Sequence, residues 1–176
     1  GPLEATKPWQ SQGLEGMHRF LSRAWRAVVG DGDEQPVYSD APPPAELLKV
    51  AHQSIIKVSD DIENLRFNTA IAQLMVFCNE LLRAPERYRH ICSIFVQLLH
   101  PFAPHIAEEL WEKLGNQTSL TLAEWPEADP VLAEESAVEV VFQVNGKVRA
   151  RAQVSKNVSP AELEKMAKEH PRVREF

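Results

Sequence analysis

Hydrophobic residues recur at intervals of three and four over most of the first 115 positions. This spacing places them on one face of an amphipathic helix. Five helical stretches follow from it, and they begin near Gly16, Leu48, Ile71, Tyr88 and Ile106. Because the connections between the stretches are short, successive helices should be antiparallel neighbours. The pattern therefore predicts an antiparallel helical bundle.

Polar and turn-forming residues mark where these helices should begin and end. Asn68 precedes the third stretch and is predicted to be its N-cap. Pro85 is predicted to end that helix, and Gly115 to end the fifth. Asp60, Asp61 and Glu63 follow one another closely in the second stretch, where a solvated helix face explains them better than a catalytic pair.

The hydrophobic period changes to that of a β-strand after about residue 137. Apolar residues alternate from Val138 to Val144, and Asn145-Gly146 follows, which is the strongest short signal for a two-residue hairpin turn. In the second strand, apolar positions alternate with the polar set Lys147, Arg149, Arg151 and Gln153. The alternation predicts that these polar residues share one exposed face, where they also protect the strand from pairing with other chains.

A capping box, Ser159-Pro160-Ala161-Glu162, predicts a further helix from Pro160 to about Lys168. The fold class is mainly α: an antiparallel helical bundle followed by a small α+β domain with a β-hairpin and one helix. A hairpin and one helix are too small to bury a self-sufficient core, so we expect this second domain to be truncated. The expected divisions are a connection over 1–15, the bundle over 16–115, a linker over 116–136 and the partial α+β domain over 137–176.

The composition, 44% hydrophobic and 25% charged, is ordinary for a water-soluble globular protein. The formal net charge of -6 argues against a general nucleic-acid binder, but the charge is unevenly distributed. From Val138 onwards there are eight basic and five acidic residues, so this part carries +3 and the rest carries -9. The local sign indicates where a polyanion would bind.

The chain shows little sign of catalytic or metal chemistry. Cys78 and Cys92 fall within apolar helical patterns, which predicts buried thiols. His105 and Glu108 have the spacing of metal ligands in bundles, and with His100 they suggest a bundle metalloprotein as one hypothesis. Packing and capping roles explain these three residues better, and no phosphate-binding glycine loop is present in the sequence. We expect this chain to catalyse nothing by itself.

Three stretches together resemble the carboxy-terminal region of bacterial-type leucyl-tRNA synthetases, which are class I enzymes. They are FNTAIAQLMVFCNEL (67–81), LLHPFAPHIAEELWEKLG (98–115) and VVFQVNGKVRARAQV (140–154). The first 26 residues resemble the passage from the catalytic domain of that family into its helical bundle. The middle stretch is also similar to the valine and isoleucine enzymes, so the VNGKVR hairpin is the part that indicates leucine.

The resemblance implies a role in the ATP-dependent attachment of leucine to its tRNA. It implies that ATP and magnesium bind the catalytic domain of the parent enzyme, whose signatures this chain lacks, and that this region needs no cofactor. The implied partners are leucine tRNA and the remainder of the synthetase, with no membrane and no DNA, in a monomer. The implied location is the cytoplasm, with a plastid or mitochondrion as the alternative.

The resemblance also makes the basic residues candidates for contact with tRNA phosphate or sugar. The candidates are Arg19, Arg23, Arg26, Asn145, Lys147, Arg149, Arg151 and Lys156. For the three residues of the first helix, simple solvated arginines are an equal alternative. A helical protein-interaction module, with a partner strand added to the hairpin edge, is the alternative function.

Overall fold

The computed structural model describes residues 12–32, 36–134, 137–144, 147–155 and 159–169. Within them, the first part of the chain is helical, with elements α1 (Gln12–Val28), α2 (Ala45–Glu63), α3 (Phe67–Arg83), α4 (Arg89–Leu99), α5 (Pro104–Lys113), a 3₁₀ turn (Leu120–Leu122) and α6 (Pro130–Ala133). The second part contains β1 (Ala137–Val144), β2 (Lys147–Ser155) and α7 (Pro160–Glu169). The predicted mainly α fold class is confirmed.

The core of the bundle is built from the predicted apolar faces. Helix α2 packs against α3 and α4, while α1 packs against α3 and α5. Phe77 and Phe95 meet edge to face at its centre, with ring centroids 5.4 Å apart, and neither is exposed. Cys78 and Cys92 are free, buried thiols, as predicted. No described helix has both the length and the apolar character needed to cross a membrane.

One predicted helix end is wrong. Asn68 does not cap α3, because that helix already begins at Phe67 and Asn68 lies within its first turn. The turn before it is tight: Leu65 adopts a φ of 54° and the Arg66 backbone N–H donates to the Asp61 carbonyl at 2.7 Å. The predicted end of α5 is confirmed, since Gly115 follows it with a φ of 97°, a conformation that glycine adopts without steric cost.

Contacts divide the chain into two compact units, one ending at Ala133 and the other beginning at Glu134. Most of the segment predicted as a linker therefore lies within the first unit. Trp125 donates its indole N–H to Ser59 Oγ at 2.8 Å, and Gln97 donates to the Glu124 carbonyl at 2.9 Å. These bonds hold residues 124 and 125 against α2 and α4.

The hairpin of the second unit contains a β-bulge. Near the turn, Val144 pairs with Lys147 and Gln143 with Val148, but beyond them Phe142 pairs with Ala150. Arg149 is therefore the extra residue that the bulge inserts into β2. A regular two-residue hairpin would place the apolar positions of β1 opposite the charged positions of β2. The bulge shifts the register by one and brings apolar residues opposite apolar residues.

Candidate nucleic-acid interface

Three arginines predicted to touch RNA lie along one side of α1, four and three residues apart. Arg19, Arg23 and Arg26 are all exposed, whereas Phe20 and Ala24 between them are buried in the core. The arginine side borders α3: burial raises the pKa of the Cys78 thiol to about 11, and the positive charges of Arg23 and Arg26 partly offset that rise. The three arginines therefore form an exposed edge beside the contact between α1 and α3.

The three arginines differ in their partners. Arg23 donates to Asn79 Oδ1 on α3. Arg26 Nε lies 3.8 Å from Asp31 Oδ1, a loose ion pair between side chains that are 46% and 83% exposed. Arg19 makes no hydrogen bond or ion pair within the described ranges. Arg19 and Arg26 thus retain the most freedom to meet an external anion.

The candidate residues of the hairpin belong to the second unit. Lys147 and Arg151 lie on β2, and Arg149 is the bulge residue and is half-buried. Asn145 and Lys156 lie outside the described residues. The bulge interrupts the alternation from which a common face of Lys147, Arg149 and Arg151 was predicted, so their common face stays a prediction.

A second group of arginines, which the sequence reasoning missed, surrounds the connection between α3 and α4. The backbone of Arg87 and Arg89 is joined to Ser39, which donates its N–H to the Arg87 carbonyl at 2.8 Å and accepts from Arg89 N–H at 3.0 Å. Arg89 lies over the ring of Tyr38 at 4.9 Å and donates to the Leu114 carbonyl at 2.5 Å. The signal in the sequence is RAPERYR, residues 83–89, with three arginines around one helix end.

Arg26 and Arg87 line one surface cavity of about 380 Å³, where the end of α1 meets the α3–α4 connection. The exposed residues Asp31 and Glu86 also line the cavity. The cavity brings Arg26, a predicted tRNA contact, beside Arg87, which was not predicted. Leu81, Leu82, Ala84 and Pro85 supply most of the remaining wall.

His100 and Glu108 do approach each other, with His100 Nε2 3.7 Å from Glu108 Oε1. The Glu108 carboxylate is already occupied: it accepts from Ser119 Oγ at 2.6 Å and from the backbone N–H of Leu120 at 2.9 Å. These hydrogen bonds, with others from Thr121, lower the pKa of Glu108 to about 2. No group of three metal-ligating side chains occurs among the described residues. The arrangement is that of a carboxylate that holds a loop.

The interpretation of Asp61 as part of a solvated helix face is wrong. Its side chain has no solvent exposure and accepts from Lys57 Nζ at 2.5 Å and from Arg66 Nε at 2.8 Å. Burial by itself raises the pKa of Asp61, but hydrogen bonds from Lys57, Arg66 and Thr69 outweigh it and bring the pKa to about 2. Asp60 remains 58% exposed and pairs with Arg66. The pair of carboxylates thus anchors the α2–α3 turn.

The comparisons with known proteins agree with this architecture. Residues 45–165 match the family model described as the anticodon-binding domain of tRNA ligase. Leucine–tRNA ligase 1 of Rhizobium johnstonii is 48% identical over 164 residues, which cover 93% of this chain and 20% of that protein. Leucine–tRNA ligase of Chlorobium phaeovibrioides is 51% identical over 151 residues, which cover 85% of this chain and 19% of that protein.

A solved structure is also similar, the crystal structure of a ternary complex of an Agrobacterium radiobacter leucyl-tRNA synthetase with tRNA and LeuAMS. It is 27% identical with a TM-score of 0.75, and the match covers 97% of this chain and 24% of that chain. The chain spans about a fifth of the length of the curated relatives it matches. The predicted resemblance to leucyl-tRNA synthetases is confirmed, and the chain belongs to the anticodon-binding-domain family of tRNA ligases.

Proposed function

We propose that this chain is the tRNA-binding carboxy-terminal region of a leucyl-tRNA synthetase. The observation that carries the proposal is the 48% identity to a leucine–tRNA ligase over 93% of the chain, together with the family match over residues 45–165. On this proposal the region holds leucine tRNA while the remainder of the synthetase attaches leucine. ATP and Mg²⁺ would bind that remainder, and the protein would act as a monomer in the cytoplasm, with a plastid or mitochondrion as the alternative.

The proposed contacts are electrostatic and largely independent of base sequence. Lys147, Arg149 and Arg151 of β2 would meet phosphate or sugar, together with the neighbouring Asn145 and Lys156. Such contacts set affinity and register, because an arginine or lysine that neutralises a phosphate releases a counterion. The exposure of Arg19 and Arg26 supports their inclusion from the first unit.

A titration of the chain with leucine tRNA and a non-cognate tRNA, repeated across salt concentrations, tests the proposal. We expect salt-dependent binding with a preference for leucine tRNA. Replacing Lys147, Arg149 and Arg151 together with Ala should weaken binding and reduce the slope of log affinity against log salt, by about 0.7 to 0.9 for each phosphate that is no longer neutralised. An unchanged slope would remove the hairpin from the interface.

The matched control removes the same net charge from residues outside the candidate set. Lys49, Arg83 and Lys113 meet this condition: the first two are paired with carboxylates on their own helices, and the third lies in the last turn of α5. Replacing these three with Ala should change the salt slope much less than the hairpin variant does. Equal effects of the two triple variants would indicate a response to net charge alone.

Two further assays separate this proposal from its competitors. The chain should support neither ATP–pyrophosphate exchange nor leucylation when assayed without the rest of the synthetase. Association with a protein partner that is insensitive to salt, combined with no binding of any tRNA, would instead support a protein-interaction module.

A further inference from the structure

The guanidinium of Arg87 makes no hydrogen bond or ion pair with any residue that the structure describes. Its Nε atom is buried and has no hydrogen-bond partner, and no ion pair reaches this side chain from any described residue. A buried donor without an acceptor is costly, and the great majority of such groups in folded proteins are hydrogen-bonded. A positively charged donor is costlier still. The missing partner of Arg87 is therefore expected to be an external acceptor with negative charge.

Two features of the backbone accompany Arg87: a glycine beside its guanidinium and a hydrogen bond to its carbonyl. Gly30 adopts a φ of 107°, and a Cβ atom there would stand 2.8 Å from Arg87 Nη2 and 3.2 Å from Cζ. A side chain at position 30 would thus collide with the guanidinium. The Arg87 carbonyl accepts from Ser39 N–H at 2.8 Å, which ties this part of the connection to the segment after α1. The backbone of Arg87 is thus tied down, and the glycine at position 30 leaves room for its guanidinium.

Arg26 supplies a second guanidinium to the same cavity. Its only described ion-pair partner, Asp31, is 83% exposed at 3.8 Å, so a stronger acceptor can displace it at little cost. Two guanidinium groups across a cavity of about 380 Å³ suit a tetrahedral oxyanion, which accepts several charge-assisted hydrogen bonds at once. Asp31 and Glu86 also line the cavity, and both are exposed, so solvent screens their repulsion of a phosphate held by the two arginines.

We propose that Arg26 and Arg87 form a binding pocket for one backbone phosphate of the bound tRNA. This inference rests on the proposed function and deepens it, because it assigns a defined contact to the first unit and adds Arg87 to the interface. It separates the arginines of α1: Arg26 acts with Arg87 in the pocket, while Arg23 remains engaged with Asn79.

The test replaces Arg87 with Met, which keeps the aliphatic stem and removes the charged donors. R87M should bind leucine tRNA about tenfold more weakly at low salt, and its salt slope should fall by about 0.7 to 0.9. R26M should give a similar loss. The double variant should lose less than the sum of the two, because both residues serve one phosphate. R83M is the matched control: Arg83 is 74% exposed at the end of α3 and pairs with Glu80 at 2.5 Å, outside the cavity.

The outcomes distinguish the pocket from the function on which it rests. If the unaltered chain binds tRNA and R87M binds with the same affinity and slope, the pocket proposal is overturned and tRNA binding stands. If the unaltered chain binds no tRNA, the proposed function and the RNA phosphate fail together. Inorganic phosphate, titrated while the Arg87 Nε–H resonance is followed by NMR, then decides what remains. If added phosphate shifts this resonance to saturation, in the unaltered chain and in R83M alike, the cavity is an oxyanion site. If phosphate causes no shift, the cavity is not an oxyanion site.

Discussion

At the scale of single residues, Asp61 is a fully buried carboxylate in the bundle. A carboxylate without solvent exposure is stable only because Lys57 and Arg66 both donate to it while their own side chains remain 45% and 44% exposed. Three elements of local structure meet at this residue: the end of α2, the tight turn at Leu65 and the start of α3. Loss of the Asp61 charge therefore affects the turn between α2 and α3 as well as the ion pairs with Lys57 and Arg66.

We predict that Asp61→Asn lowers the free energy of unfolding by about 2 kcal/mol, because hydrogen bonds to a buried charged group typically contribute about 1.5 to 3 kcal/mol. Asp60→Asn is the control and should cost less than about 1 kcal/mol, since Asp60 is 58% exposed. Urea unfolding at neutral pH measures both. Similar costs for the two variants would contradict the assignment of Asp61 as the anchoring carboxylate.

The same pair predicts a pH dependence. The pKa of Asp61 in the folded chain is about 2, below its ordinary value of 3.8, so its stabilising effect is present above 3.8 and is lost as the pH falls towards 2. The stability difference between the unaltered chain and Asp61→Asn should therefore stay constant near neutral pH and shrink below about pH 4. A difference that is independent of pH throughout the acid range would show that Asp61 is not ionised in the fold.

His52 predicts a pH effect in a different window. It is buried and its Nδ1 accepts the Asp129 N–H at 3.0 Å, which is possible only for the neutral ring. Burial lowers the pKa of His52, and His90 adds to this while Asp129 opposes it. Because the folded pKa lies below 6.5, the contribution of His52 is present above 6.5 and is lost as the pH falls below it. The unfolding free energy of His52→Gln should vary less between about pH 7.5 and pH 5.5 than that of His105→Gln, whose ring is exposed.

At the scale of elements, the 3₁₀ turn after α5 depends on Glu108 for its position. The carboxylate accepts from the side chain of Ser119 and from the backbone of Leu120 and Thr121, so it binds the beginning of the turn to the middle of α5. A stretch rich in polar residues thereby becomes an ordered part of the first unit. Packing of Leu120, which is 4% exposed, completes the attachment.

We predict that Glu108→Gln increases the hydrogen-exchange rates of the Leu120 and Thr121 amides several-fold, because a neutral amide accepts these hydrogen bonds more weakly than a carboxylate. Glu109→Gln is the control, since Glu109 is the next residue of the same helix and accepts from neither amide. In this variant the exchange rates of both amides should be unchanged. The effect should persist to about pH 4, because the pKa of Glu108 is lowered to about 2. Unchanged protection at both amides would refute this role of Glu108.

At the scale of the whole molecule, the two units place candidate RNA contacts on separate compact bodies. The part from Val138 onwards carries a net +3, while the rest of the chain carries -9. Attraction of RNA to the first unit must therefore come from local groups such as Arg26 and Arg87 rather than from overall charge. Two modules that bind one tRNA at once also raise each other's effective concentration.

We predict that R87M and the triple Ala variant of Lys147, Arg149 and Arg151 have additive effects on the free energy of tRNA binding and on the salt slope, because the two sets share no partner residue. Titration of the combined variant with leucine tRNA at several salt concentrations measures both quantities. A combined loss no greater than that of the triple variant would mean that Arg87 adds nothing to RNA affinity.

Much of this molecule was predictable because the determining interactions are local. The helices from Leu48 to Leu114 follow from apolar spacing, and the Ser159–Glu162 capping box forms as predicted, with Ser159 N–H donating to Glu162 Oε2 at 3.1 Å. The prediction for Asn68 was wrong because its cap propensity competes with the Asp61–Arg66 network, which starts the helix two residues earlier. The bulge at Arg149 was missed because each strand alternates correctly by itself, and only their pairing shows that the two patterns are out of phase.

The sequence by itself determined which residues are apolar, with what period, and where helices give way to strands, because these depend on neighbours within a few positions along the chain. It also determined the family, through stretches whose order and residue types are distinctive. Only the tertiary structure decided that Asp61 is buried between two cations and that Arg87 lies over Gly30 beside Arg26. Those facts depend on residues far apart in the chain meeting in space, and hydrophobic periodicity carries no information about which charged side chains such packing brings together.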